Sequence, residues 1–280
     1  QHRVEDVATP EAFERDPNLV HRFYDLRRAS IQEKLPHPAH HALARLDAAH
    51  TLLVAGEARA LGVQRLLLVA PYLAYMRQDI AFNPGEVVSQ TIVGAFIAQH
   101  FEGLVTVDPH LHRIERLQQA VPLGEAAIAL SGAPMLAQLI AEQRQQPLLL
   151  GPDAESAQWI EAAAAAFNFD QGVCRKVRSG DRHVSIELPA LDFRGRQVVL
   201  LDDVASSGRT LAGAASQLLA AGAASVDVAV THALFAGDAL AVIKAAGVGE
   251  VWSTDCIAHP SNAIAMAPLL AAALQPLLSA

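Results

Sequence analysis

The stretch richest in potential chemistry is Val198-Val199-Leu200-Leu201-Asp202-Asp203-Val204-Ala205-Ser206-Ser207-Gly208-Arg209-Thr210. Four apolar residues, the pattern of a strand buried on both faces, run into two adjacent carboxylates, a turn of small residues and a helical run. Successive backbone N–H groups from Ala205 to Thr210, with the hydroxyls of Ser206, Ser207 and Thr210, would form an anion nest at a helix N-terminus. Gly208 would allow close backbone approach. Asp202 and Asp203 can accept hydrogen bonds from vicinal sugar hydroxyls. An acid pair beside a phosphate cradle describes a ribose 5-phosphate site. The bland alternative is a strand–turn–helix with Ser as its N-cap and both acids in solvent. Acids placed directly after four buried residues argue against it.

Four further groups of residues invite chemistry. Lys176 and Arg178 alternate with Val177, so on an extended segment both point the same way and could bridge phosphates; a solvated basic edge is the alternative. Arg77 and Gln78 follow a buried strand, where Arg77 could meet phosphates or pair with Asp79 at the surface. His110, with His112 and Arg113 close behind, follows a short apolar strand; a loop of solvated side chains fits as well. Thr231 and His232 end another strand, where capping or core hydrogen bonding explains them equally well. His40 and His41 have no carboxylate or thiol at ligand spacing and read as solvated.

The elements that must hold these groups alternate. Helical patterns cover residues 42–60, 85–100, 134–143, 154–167, 210–221, 238–246 and 268–277. Apolar strands cover 63–70, 104–107, 147–150, 198–201, 225–230 and 251–253, with two more around a polar loop at 172–177 and 184–188. Alternation of this kind implies parallel sheets with right-handed crossovers. The pattern restarts near residue 134, which suggests two similar α/β halves. Ligands in such sheets lie beyond the carboxyl ends of the strands, where every polar group above falls. Residues 1–41 are charged and contain no clear strand.

Composition sets limits. The 280 residues are 52% hydrophobic, which rules out a disordered chain. A net charge of -8 argues against nucleic acid or an anionic membrane as partner. Two cysteines, Cys174 and Cys256, cannot build a disulfide framework or a four-thiolate zinc site. No charged-then-apolar leader opens the chain, Gln1 suggests a trimmed start, and the clean apolar run 66–76 is too short for a membrane helix. The expectation is a soluble, cytoplasmic protein.

The Asp202–Thr210 loop resembles the phosphoribosyl-binding motif of the type I phosphoribosyltransferase superfamily. Other segments narrow the resemblance to the ribose-phosphate pyrophosphokinase family. Pro71-Tyr72-Leu73-Ala74-Tyr75-Met76-Arg77-Gln78-Asp79 is similar to its nucleotide-contacting segment. Thr106-Val107-Asp108-Pro109-His110 is similar to its metal and phosphate corner, and Gly151-Pro152-Asp153-Ala154 to its P-D-A turn. Cys174-Arg175-Lys176-Val177-Arg178 resembles its catalytic loop, and Thr231-His232-Ala233-Leu234-Phe235 one of its strand ends.

The resemblance, over roughly residues 60–270, implies an α/β fold of two tandem type I phosphoribosyltransferase-like domains, residues 1–133 and 134–280, with parallel sheets flanked by helices and the site between them. It implies transfer of the βγ-pyrophosphoryl group of ATP to the anomeric hydroxyl of ribose 5-phosphate, giving phosphoribosyl pyrophosphate and AMP. Lys176 and Arg178 would then be catalytic. Asp202, Asp203, Ala205, Ser206, Ser207, Gly208, Arg209 and Thr210 would bind ribose phosphate. Arg77, Gln78 and His110 would bind the nucleotide, and His110 and Asp153 would contact Mg²⁺. A homo-oligomer, a dimer or dimer-based assembly, is implied too. Rival readings are a phosphoribosyltransferase that uses phosphoribosyl pyrophosphate and a non-catalytic homologue that regulates a synthetase.

Departures from the family pattern stand beside these matches. The family usually has an acid where Ser206 stands and a second Gly where Arg209 stands, which points toward looser nucleotide choice. Its adenine-holding F-x-D-G-E hairpin has only a faint echo at Arg22-Phe23-Tyr24-Asp25-Leu26-Arg27.

Overall fold

In the computed structural model, residues 47–81, 86–179 and 183–279 are described, and residues 48–280 form one compact unit. The readings of residues 1–46, with His40, His41 and the 22–27 echo, lie outside the described residues.

Two parallel sheets carry the described residues. The first has three strands in the order β1 (Leu67–Ala70), β2 (Gly103–Val107), β3 (Ala127–Leu130). The second has six, in the order β11-β10-β9-β8-β4-β5, all parallel. Their ranges are β4 Leu148–Gly151, β5 Asp170–Val173, β8 Gln197–Ala205, β9 Ser225–Ala233, β10 Val251–Thr254 and β11 Asn262–Ile264. Between β5 and β8 an antiparallel hairpin joins β6 (Arg175–Ser179) to β7 (His183–Glu187). The α/β fold, with parallel sheets flanked by helices, is the one the sequence implies.

The uninterrupted apolar run of β8 follows from helices on both faces. Val198 and Leu200 pack with Leu211, Ala215 and Leu218 of helix Arg209–Ala220. Val199 and Leu201, one residue out of phase, pack with Leu136 and Ile140 of helix Ala133–Gln143 and Ile160 of helix Ala157–Phe167. A strand covered on both faces cannot show polar alternation. β2 repeats this arrangement. Leu104 faces Ile97 of helix Ser89–His100, while Val105 and Val107 meet Leu270 and Leu277 of the last helix, Ala267–Ser279. The chain therefore moves to the six-stranded sheet after β3 but sends its last helix back against the three-stranded one.

At the end away from the strand carboxyl termini, Arg144 Nε donates to Asp227 at 2.7 Å and its guanidinium lies over the Trp252 ring. The buried Asp227 carboxylate also accepts the N–H of Glu250. This ties the helix Ala133–Gln143 to β9 and β10. No helix among the described residues is long and apolar enough to cross a membrane.

Candidate functional site

The acid pair lies inside β8, not after it. β8 stays paired to the equally long β9 through Asp202↔Val230, Val204↔His232 and Ala205↔Ala233. The strand thus runs four residues beyond the apolar stretch, because backbone pairing with β9 does not depend on side-chain polarity. Successive strand positions alternate faces, so the two carboxyls take different roles. Asp203 is 2% exposed and its Oδ2 accepts the Nδ1–H of His110 at 2.6 Å. Asp202, half-buried, turns its Oδ1 back to accept the N–H of Asp203 at 3.1 Å. Burial first, then the charges of Asp203 and Asp153, push the Asp202 carboxyl well above its usual range.

Past Ala205 the turn is fixed by two backbone bonds, Phe235 N–H to Ala205 O and Ala236 N–H to Ser206 O, each 2.9 Å. Gly208 caps the helix Arg209–Ala220 at φ 70°, and a Cβ there would meet Ile243 at 2.9 Å and the Ala239 carbonyl at 3.0 Å. Only glycine satisfies both the backbone and the packing. Among the described residues none accepts a hydrogen bond from the N–H of Ser206, Ser207 or Gly208, or engages the hydroxyls of Ser206, Ser207 or Thr210. Donors so arranged at a helix N-terminus suit an anion.

The end of β2 forms a buried corner. Asp108 is 6% exposed and takes φ 36°, a left-handed conformation uncommon for a side-chain-bearing residue. Its Oδ2 accepts Thr231 Oγ1–H at 2.6 Å and Gly132 N–H at 2.9 Å. Burial raises the Asp108 carboxyl even so. His232, 1% exposed, donates from Nε2 to the Val107 carbonyl at 3.0 Å, and burial lowers its affinity for a second proton. Thr231 and His232 are therefore core hydrogen bonders that join β9 to the end of β2, which decides between the two readings of them. The Tyr72 ring stands edge-on to His232 at 4.9 Å.

His110 occupies the centre. Its ring stacks on Trp159, with centroids 6.3 Å apart and planes 20° apart. Its Nε2 lies 3.6 Å from Glu155 Oε2, and Glu155 Oε1 lies 3.5 Å from His112 Nε2. A narrow cleft on one side is lined by Tyr72, Met76, Arg77, His110, Asp203 and His232. On the other side is a cavity of ≈ 720 Å³ bounded by His110, His112, Glu115, Ser131, Glu155 and Trp159.

Arg77 thus lines the same cleft as His110 and Asp203. Asp79 pairs with Arg113, so the surface Arg77–Asp79 alternative does not form. Gln78 is exposed, and its carbonyl accepts the N–H of Gln90. Asp153 lies two residues past the end of β4 and caps the turn Ala154–Ser156 by accepting Glu155 N–H at 3.0 Å. Its other oxygen takes the ammonium of Lys176 from β6. Arg178 lies two residues further along β6, in register with Val184. Among the described residues no group of three or more His, Cys, Asp or Glu side chains is arranged to hold a metal ion.

The geometry therefore joins Arg77, His110 and Asp203 in one cleft and pairs Lys176 with Asp153, whose charge acts on Asp202. It also adds Glu155 and Trp159, which sequence reasoning did not single out. Glu155 follows the capping Asp153 by two residues, the one local signal that could have marked it.

Comparison with known proteins covers most of the chain. A model of the phosphoribosyl transferase domain matches residues 125–244. The ribose-phosphate pyrophosphokinase of Methanopyrus kandleri is 32% identical over 223 residues, which is 79% of this chain and 75% of that one. Ribose-phosphate pyrophosphokinase 1 of Archaeoglobus fulgidus is 33% identical over 225 residues, 80% and 76% of the two chains. Among solved structures, the phosphoribosylpyrophosphate synthetase of Mycobacterium smegmatis shares the fold with a TM-score of 0.71 at 22% identity, over 82% of this chain and 77% of that one.

Proposed function

Since the chain belongs to the ribose-phosphate pyrophosphokinase family, we propose that it transfers the βγ-pyrophosphoryl group of ATP to the anomeric hydroxyl of ribose 5-phosphate. The products are phosphoribosyl pyrophosphate and AMP. The observation that carries this reading is the His110–Asp203 hydrogen bond. It couples the corner after β2 to the strand that leads into the Ser206–Thr210 turn.

In this reading the N–H groups of Ala205 to Thr210 and the nearby hydroxyls hold the 5-phosphate, and Asp202 and Asp203 accept from the ribose hydroxyls. Arg77, Gln78 and His110 receive the nucleotide. Lys176 and Arg178 close over the transferring group, where in-line positioning and charge neutralisation matter more than a covalent nucleophile. The halves 1–133 and 134–280 supply the two substrates. A homo-oligomeric assembly and a cytoplasmic setting belong to the same reading.

Mg²⁺ is implied by the family. One or two carboxylates beside substrate phosphates are its usual protein contacts. The donor set fits an ion that arrives with the nucleotide: Asp153 offers one hard carboxylate, now on Lys176, while His110 would contact it through phosphate or water. Bound there, the ion would neutralise triphosphate charge.

A coupled assay of AMP release from ATP and ribose 5-phosphate tests the reading. AMP formation that needs both substrates and falls sharply in Lys176→Ala is expected. Absence of AMP at any Mg²⁺ concentration, from a folded protein, overturns it.

A further inference from the structure

One carboxylate lies against two imidazoles at the rim of the ≈ 720 Å³ cavity. Glu155 Oε2 is 3.6 Å from His110 Nε2 and Glu155 Oε1 is 3.5 Å from His112 Nε2. Neither separation is a formed hydrogen bond, and the Glu155 side chain is 40% exposed, so it is held loosely between two stations. Its backbone is fixed by contrast, because Asp153 accepts its N–H and Asp153 itself is held by Lys176.

His110 has no such freedom. Asp203 holds its Nδ1–H, Trp159 supports one ring face, and the side chain is only 12% exposed. Nε2 is the ring nitrogen that Asp203 does not engage, and Glu155 Oε2 lies 3.6 Å from it. A phosphate group that approaches Nε2 meets a like charge first.

We propose that Glu155 is a carboxylate gate on the anion-binding face of His110, with His112 as the station that receives it when an anion binds. This makes Glu155 and His112 positioning residues that set polyphosphate affinity. The inference rests on the reading of His110 as a nucleotide contact, and it adds two residues to that reading.

The proposal has a signature of opposite signs. Glu155→Gln removes the like charge and should bind inorganic triphosphate about three- to tenfold more tightly, a single like charge several ångströms away being worth that much at a half-exposed site. His112→Asn leaves Glu155 on His110 and should weaken binding by about threefold. The double variant should match Glu155→Gln alone, since without the carboxylate its second station has nothing to receive. Titration calorimetry with inorganic triphosphate on the full chain measures all three, and His112→Gln repeats the middle step should the Asn variant fold poorly.

Unchanged or weaker binding by Glu155→Gln overturns the gate. A double variant that stays weaker than Glu155→Gln also overturns it, because His112 would then touch the anion directly. So does a wild type and Glu155→Gln pair that binds no triphosphate. The AMP assay judges the wider reading separately: the three-variant pattern without AMP sinks the donor reading alone, and AMP without the pattern sinks the gate alone.

Discussion

Replacing Asp202 with Asn should make the protein more stable while it damages the proposed site. Burial and the neighbouring Asp203 and Asp153 hold the Asp202 carboxyl well above its usual value of 3.8. Between that value and the raised one, the folded chain holds a proton there that the unfolded chain has released. The unfolded state therefore binds fewer protons, and stability falls as pH rises through this window. Asn carries no charge and keeps an oxygen to accept the Asp203 N–H, so it removes the penalty without leaving that donor unpaired. Relief of one such functional-site strain is typically about 0.5–2 kcal/mol. For a chain of this size that corresponds to roughly 1–8 °C in Tm. Thermal melts of wild type and Asp202→Asn from pH 4 to pH 8 measure it. The gain should be near zero at the acid end and largest at pH 8. In the AMP assay the same variant should lose about 3- to 10-fold in apparent ribose-phosphate affinity, the worth of one neutral hydrogen bond. A variant that melts lower than wild type at pH 8, or a gain that does not shrink toward pH 4, would refute the reasoning.

Other perturbations separate the site from its scaffold. Gly208→Ala forces a left-handed backbone, about 1–2 kcal/mol, and crowds Ile243 and the Ala239 carbonyl, about 1–3 kcal/mol more; urea unfolding should show the sum. Arg144→Ala strands the buried Asp227 and should cost about 3–5 kcal/mol in the same experiment, with turnover per folded molecule unchanged. Lys176→Ala should lower turnover far more than ribose-phosphate affinity, since its charge is needed in the transition state; a defect confined to affinity contradicts that role. The thiols of Cys174 and Cys256 are both pushed up to about 11 by burial, so alkylation of the native protein at pH 8 should be slow and should become fast only on unfolding.

What could be read from the sequence was whatever is contiguous. β8 announces itself because both faces are covered and Val198–Leu201 is uninterruptedly apolar, and β9 because Val228–Val230 is. The Ser206–Thr210 turn follows within the same dozen residues, so its donors and the acids upstream could be read as one unit. β3 (Ala127–Leu130) and β11 (Asn262–Ile264) were not legible: runs of four and three residues are too short to show a period and are defined by their partners rather than by pattern. The extent of β8 was misjudged for a related reason. Asp202 and Asp203 look like the end of a strand, but their pairing is set by β9, which continues to Ala233.

The contacts that assemble the site are long in sequence, and that is why they were hidden. Thr231 reaches Asp108 across 123 residues and His110 reaches Asp203 across 93. Each residue alone fits a solvated loop or a capped strand end. Only the packing of β9 and β8 against the end of β2 removes water from these groups, and removal of water is what gives them their properties: it raises the Asp108 and Asp202 carboxyls and lowers the His232 imidazole. The three groups are shifted by the burial that stitches the two sheets together. A substitution that opens this seam, such as Thr231→Val, should therefore act on the acid pair without touching it, through the position of Asp108 and the ring of His110 two residues later.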